Sequence, residues 1–230
     1  MSQTLDMVVL VARGLGALRE EVAFLGGAVT GLLITDPAAP EIRPTDDVDV
    51  IVEVASQVAY ASLGRRLRVL GFREDKSEGA PTCRWIFSGQ KVDVMPTSAE
   101  VLGFANRWYA SALREAETRR VGGLALRVVT APYFLATKLE AFDGRGQGDY
   151  RASHDLEDLV AIVDGRLELA DEVAASPRAL RTYLKKRFRE MLDEPAFIEA
   201  LPGHLPGDEA SQGRAPLVLL TLRTLAGRGP

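Results

Sequence analysis

Apolar and polar positions come in short runs over the first 130 residues and recur at helical spacing beyond them. The opening TLDMVVLVARGLGALRE carries apolar residues every three or four positions, which predicts a helix in spite of its two glycines. VAFLGGAV predicts a short buried strand, a glycine turn and the start of a helix at VTGLLI. TDPAAPEIRP is a proline-rich loop, and VDVIVEV after it is a strand. SQVAYASLGRRLRVLGF predicts an amphipathic helix capped by Ser56 and stopped by Gly71. CRWIFSGQKVDVMP predicts two strands joined by a tight turn at Ser88-Gly89. A helix through NRWYASALREAE and a strand at LALRVV complete this part.

After Ala131 helices dominate. PYFLATKLEAF has Pro132 near its first turn, where the missing N–H costs nothing. DGRGQGDYRA is a glycine-rich, charged loop, and SHDLEDLVAIV starts a helix with Ser153 as its cap. In SPRALRTYLKKRFREML, Arg178, Arg181, Lys185 and Arg189 follow one helical face, while Leu180, Leu184, Phe188 and Met191 form another. These patterns predict an α/β protein: an α/β domain over 1–130 with a mixed sheet flanked by helices, then a helical subdomain over 131–230 that completes the active-site cleft. No internal repeat is present.

The 230 residues suffice for a substantial core. The net charge of −4 means that any nucleic-acid contact has to come from a local basic patch, of which the 178–189 helix is one. Cys83 is the sole cysteine, so an internal disulfide and a cysteine-based zinc site are excluded; its strand context predicts a buried small hydrophobe. Two histidines, His154 and His204, argue against a histidine-rich metal centre. The N-terminal apolar run is too short and interrupted to span a bilayer, so a cytoplasmic protein without membrane contact is expected.

Chemistry concentrates in RPTDDVDVIVEV. Strand periodicity sends Asp47 and Asp49 to one face, whereas Asp46 is out of phase and should face away. Two carboxylates on one face repel unless a cation sits with them, and magnesium, with its oxygen ligands, suits such a place. Asp93, an acid inside the apolar strand KVDVMP, offers a third carboxylate. Two magnesium ions held by Asp47, Asp49 and Asp93 could activate a hydroxyl and steady a departing pyrophosphate. Gly26-Gly27, between strand and helix, could present backbone N–H groups to phosphate. Thr45 and Arg43 could touch the same phosphate or serve the loop alone.

Glycine-glycine, then Asp-hydrophobic-Asp-hydrophobic, then a single strand aspartate resembles the polymerase-beta-type nucleotidyltransferase superfamily, on Gly26, Gly27, Asp47, Asp49 and Asp93. The resemblance implies a nucleotidyltransferase fold with a nucleoside triphosphate as substrate. Gly27 stands where the superfamily commonly has serine, and the interval to Asp47 is longer than in compact members, which suggests a specificity loop at TDPAAPEIRP. TKLEAF followed by RASHDLEDLVAIV narrows the resemblance to AbiEii/AbiGii-type nucleotidyltransferases, many of them toxins of toxin–antitoxin systems. That likeness implies Lys138, Asp155 and Asp158 as further site residues: Lys138 on the triphosphate, Asp155 orienting it or acting on the incoming hydroxyl, Asp158 near the nucleotide. It also implies RNA, such as a tRNA 3′ end, as acceptor and a cognate antitoxin as partner. A small-molecule (antibiotic) or protein acceptor, or a non-catalytic nucleotide-binding module, are the alternatives that the same residues allow.

Overall fold

The computed structural model describes residues 3–146 and 148–229. In chain order its first elements are α1 (Gln3–Leu15), β1 (Val22–Leu25), α2 (Thr30–Leu33), β2 (Asp47–Val52), α3 (Gln57–Val69), β3 (Arg73–Glu74), β4 (Arg84–Phe87) and β5 (Gln90–Pro96). They continue with α4 (Ala99–Leu102), α5 (Tyr109–Arg114), β6 (Glu117–Val121) and β7 (Leu124–Val128). The remaining elements are helical: α6 (Ala131–Arg145), α7 (His154–Gly165), α8 (Leu169–Ala175), α9 (Arg178–Asp193), α10 (Pro195–Ala200), α11 (Glu209–Gln212) and α12 (Ala215–Leu225). Among the described residues no helix is long and apolar enough to cross a membrane.

The chain divides into two compact units. One runs to Val29 and resumes from Arg43 to Thr130; the other joins Thr30–Ile42 to the chain from Ala131 onward. Residues 30–42 thus group with the helical part, although the sequence pattern assigns them to the α/β part.

All strands lie in the first unit, in one mixed sheet of order β3-β4-β5-β2-β1-β7-β6. The centre is β2, parallel to β5 on one side and antiparallel to β1 on the other. β1 is buried along its whole length, which explains its uninterrupted apolar run. The β4–β5 hairpin turns at Ser88 and Gly89, both with positive φ (49° and 84°), as the twist of a two-residue hairpin turn requires. α3 begins where Ser56 Oγ accepts from Ala59 N. The opening helix ends at Leu15 rather than at the second glycine, because Gly16 (φ 54°) breaks it and a 3-10 turn follows over Gly16–Glu20. The short pieces β3, β6 and α4 carry too little periodicity to stand out in the sequence.

In the second unit α6 is enclosed on all sides: every residue from 131 to 139 is buried. Burying one such Leu or Phe stabilises by about 1.5–3 kcal/mol, and the same enclosure obliges any charge among them to be paired. α7 starts at the Ser153 cap, whose Oγ accepts from Leu156 N. TDPAAPEIRP is not an open loop. Thr35 and Asp36 donate backbone N–H groups to the Gly165 carbonyl, and Arg214 bridges Asp36 and Asp164 at 2.6 and 2.8 Å. The proposed specificity loop is therefore fastened to the end of α7.

His204 is buried, and its Nε2 donates to the Tyr150 carbonyl at 2.7 Å. Burial pushes its pKa below the ordinary 6.5, against smaller upward effects of the Tyr150 bond, Glu157 and Asp149. The unfolded chain then binds the proton first. Stability from this residue is complete above pH 6.5 and is lost as pH falls below it. Urea unfolding at pH 7.5 and 5.5 should show that loss, and His204→Gln should flatten it.

Candidate active site

Strand register builds the site from the β2 centre outward. Asp49 pairs with Asp93 across the parallel β2–β5 ladder, and Asp93 pairs with Arg84 across the antiparallel β5–β4 ladder. Paired residues point to the same face, so Arg84, Asp93 and Asp49 form one row across three strands, with Leu25 of β1 as its next member. Asp47, two residues before Asp49, shares that face. Asp46 is exposed and lines a recess with Asp6, Thr45 and Lys91. The carboxylates are half-buried or buried, whereas their strand neighbours Val48, Val50, Val92 and Val94 fill the core.

Each carboxylate has a defined holder. Thr45 Oγ1 donates to Asp47 Oδ1 at 2.9 Å, so Thr45 positions Asp47. Asp49 lies against Gly26. A Cβ built on Gly26 would stand 1.8 Å from Asp49 Oδ2, and Gly26 has φ +74°, so both its missing side chain and its left-handed backbone are used here. Gly26→Ala should cost about 1–2 kcal/mol for the backbone alone, more once Asp49 is displaced, and should abolish any activity that depends on Asp49; thermal unfolding and a transfer assay measure the two effects separately.

Asp93 accepts from Arg84 with both oxygens, Nε to Oδ1 at 2.8 Å and Nη2 to Oδ2 at 2.7 Å, and the same Nη2 reaches Asp47 Oδ2 at 3.3 Å. The Asp93 hydrogen bonds raise the pKa of Arg84 above its ordinary value, outweighing its burial, and the charges of Asp93 and Asp47 add to this. Burial first, and then the Asp93 charge, push the neighbouring Cys83 thiol up to about 12, so it is an inert core residue.

The sequence expectation places Asp47, Asp49 and Asp93 around two ions. Among the described residues no group of three His, Cys, Asp or Glu side chains is arranged to hold a metal. Arg84 holds both oxygens of Asp93 and so competes there with any cation. Asp47 and Asp49 do fit a divalent cation. Their donors are hard carboxylate oxygens on one face, and Gly26 leaves Asp49 a cradle that a Cβ would fill.

The Gly26-Gly27 expectation changes as well. Gly27–Val29 is one 3-10 turn, followed by the four-residue α2. That is too short for a helix-dipole phosphate site. What the turn provides is room for Asp49.

Lys138, Asp155 and Asp158 meet one another in the second unit. Lys138 Nζ lies 3.1 Å from Asp155 Oδ1 and 2.6 Å from Asp158 Oδ2, and all three residues are buried. Lys138 is thus the enclosed centre of an ion-pair cluster. Arg145, whose side chain is exposed, closes the cluster with two bonds to Asp155 at 2.8 and 2.9 Å. Burial alone would raise the pKa of Asp155; the bonds and charges of Arg145 and Lys138 outweigh it and hold the acid below its usual range.

The basic face of α9 is engaged in part, at Arg181 and Arg189, as are the adjacent Arg187 and Lys186. Arg181 donates to the Ala174 carbonyl, Arg189 to the Ala226 carbonyl, and Arg187 pairs with Asp143 and Glu190. Lys186 reaches Glu190 at 3.6 Å. The apolar face falls as the spacing predicts, with Leu180, Leu184, Phe188 and Met191 buried.

Arg84 and Arg145 are absent from the sequence-derived site. Arg84 could have been found by counting: with a two-residue turn at Ser88-Gly89, the hairpin places residue 84 opposite residue 93. For Arg145, which belongs to the last turn of α6, the glycine-rich sequence around it signals a loop and hides the helix.

No protein-family model and no curated protein matches this chain. Among solved structures, an antigenic nucleotidyltransferase-like protein from Paracoccidioides brasiliensis is similar with a TM-score of 0.50 at 21% identity, over 86% of this chain and 94% of that one. The antibiotic-resistance factor ANT(2'')-Ia gives 0.49 at 16% identity, over 83% and 97% of the two chains. A proposed nucleotidyltransferase from H. pylori gives 0.47 at 11% identity, over 99% and 96%. The first of these shows the fold: a mixed seven-stranded sheet flanked by helices, of the nucleotidyltransferase-like class.

Proposed function

We propose that this protein is a magnesium-dependent nucleotidyltransferase. The acceptor hydroxyl attacks the α-phosphate of a nucleoside triphosphate, an O–P bond forms, and the bond to the departing pyrophosphate breaks. The observation that carries this reading is the placement of Asp47 and Asp49 on one face of the central strand, on a sheet of this fold class, with a glycine turn shaped around Asp49. Bound magnesium supplies Lewis-acid polarisation of the phosphate and a lowered pKa for the attacking hydroxyl. Asp47 and Asp49 are its holders. Thr45 keeps Asp47 in one orientation, and Gly26 does the same for Asp49 by leaving it space. Asp93 fixes Arg84 beside Asp47, so that the guanidinium contributes positive charge where phosphate charge gathers.

RNA, and with it a toxin role, enters this reading from the AbiEii/AbiGii resemblance. Two of the four cations on the predicted basic face of α9, Arg181 and Arg189, donate to carbonyls within their own unit, and the adjacent Lys186 and Arg187 pair with acids, which lowers the charge offered to phosphate there and keeps a small-molecule or protein acceptor as the alternative. Incubation with magnesium and α-labelled nucleoside triphosphates, in parallel with bulk tRNA, an aminoglycoside panel and a protein extract, distinguishes these acceptors. Label in one pool, lost in Asp49→Asn, is the expected result. Equal labelling by wild type and Asp49→Asn in every pool would falsify the enzyme reading.

A further inference from the structure

Arg84 contacts two of the three carboxylates on the β2–β5 face. Its place is fixed by the backbone, since the β4–β5 register puts it opposite Asp93, and buried Cys83 and Trp85 anchor the strand on either side. The contact is bidentate and largely withdrawn from water, with side-chain exposures of 18% for Arg84 and 11% for Asp93. Planar guanidinium–carboxylate pairs of this kind are among the stronger ion pairs. Asp47, Asp49 and Asp93 with Arg84 and with Lys91, which is register-paired with Asp47, leave one formal negative charge, which one divalent ion more than neutralises. A second divalent ion would have to share the face with a cation already seated there.

Resting on the magnesium-dependent reading above, we infer that Arg84 stands in for the second metal ion. In the nucleotide-free protein the face takes one divalent ion, on Asp47 and Asp49, while Asp93 stays on Arg84 and is not a ligand. A second ion enters only with the added negative charge of triphosphate oxygens. Arg84 is thus a positioning residue that makes metal loading depend on the nucleotide.

Manganese, which reports on itself by EPR, tests this without any turnover. Titrated in the absence of nucleotide, the wild-type protein should bind one Mn2+ per chain. Arg84→Gln should bind a second ion, or hold the first about tenfold more tightly, whereas Arg84→Lys should keep the wild-type count. Two ions on the wild type, or a folded Arg84→Gln with unchanged count and affinity, overturns the inference. If Arg84→Gln does not fold, Asp93→Asn decides: an unchanged single ion supports the inference and a lost ion overturns it. The two readings fail separately. Two ions with label transfer intact removes the role of Arg84 alone; one ion with no transfer to any acceptor removes the nucleotidyltransferase reading alone.

Discussion

Asp49→Asn lowers nucleotidyl transfer by on the order of 10^3-fold or more while the protein melts at or slightly above the wild-type temperature. The two halves of this expectation have one cause. Asp47 and Asp49 share a face, and Asp49 is register-paired with Asp93, so like charges crowd together. Removing one relieves repulsion in the folded protein and at the same time removes one of the two proposed metal holders. Asparagine keeps the shape that Gly26 accommodates. Asp46→Ala is the matched control. Its side chain is exposed and out of phase with Asp47 and Asp49, so both activity and melting should stay at wild-type values. Loss of transfer in Asp46→Ala equal to that in Asp49→Asn would show that charge in the loop matters, and not the face of the strand.

Lys138→Met destabilises the protein by about 3–5 kcal/mol, the cost of leaving buried carboxylates without their cation. Lys138 sits in the fully enclosed stretch of α6 and is 8% exposed, with Asp158 at 2.6 Å. Arg145 continues to serve Asp155, so the deficit falls mainly on Asp158. Replacing the pair as a whole, Lys138→Met with Asp158→Leu, should recover much of the loss, because an apolar pair of similar size has no charge to desolvate. Urea unfolding of the two single variants and the double variant measures this coupling. A Lys138→Met protein of wild-type stability that has lost transfer would instead make Lys138 a substrate contact.

Much of this was legible in the sequence. Period-two alternation around Asp47 and Asp49 identified a strand and the shared face of the two acids, and it set Asp46 apart. Those conclusions follow from the pleat, which is a local property. Ser56 and Ser153 marked helix starts because capping needs a side-chain oxygen within three residues of the N–H groups it satisfies. The apolar stripe of α9 identified its buried face.

Contacts between distant segments were decided by the tertiary structure. Whether Asp93 is an open ligand depends on the residue opposite it in the next strand, and that residue is an arginine. The burial of Lys138 was not legible because helical spacing records which residues lie on a face, not how many faces the neighbouring helices cover. The glycine pair looked like a phosphate loop, and it took the packing of Asp49 against Gly26 to give the first glycine its reason. The sequence by itself determined which residues carry charge and on which side of a strand or helix they stand, because backbone geometry repeats over two or four residues. Which charges remain open to a substrate and which neutralise one another was settled only when the chain closed on itself, because an ion pair acts over a few ångströms of space however many residues separate its partners.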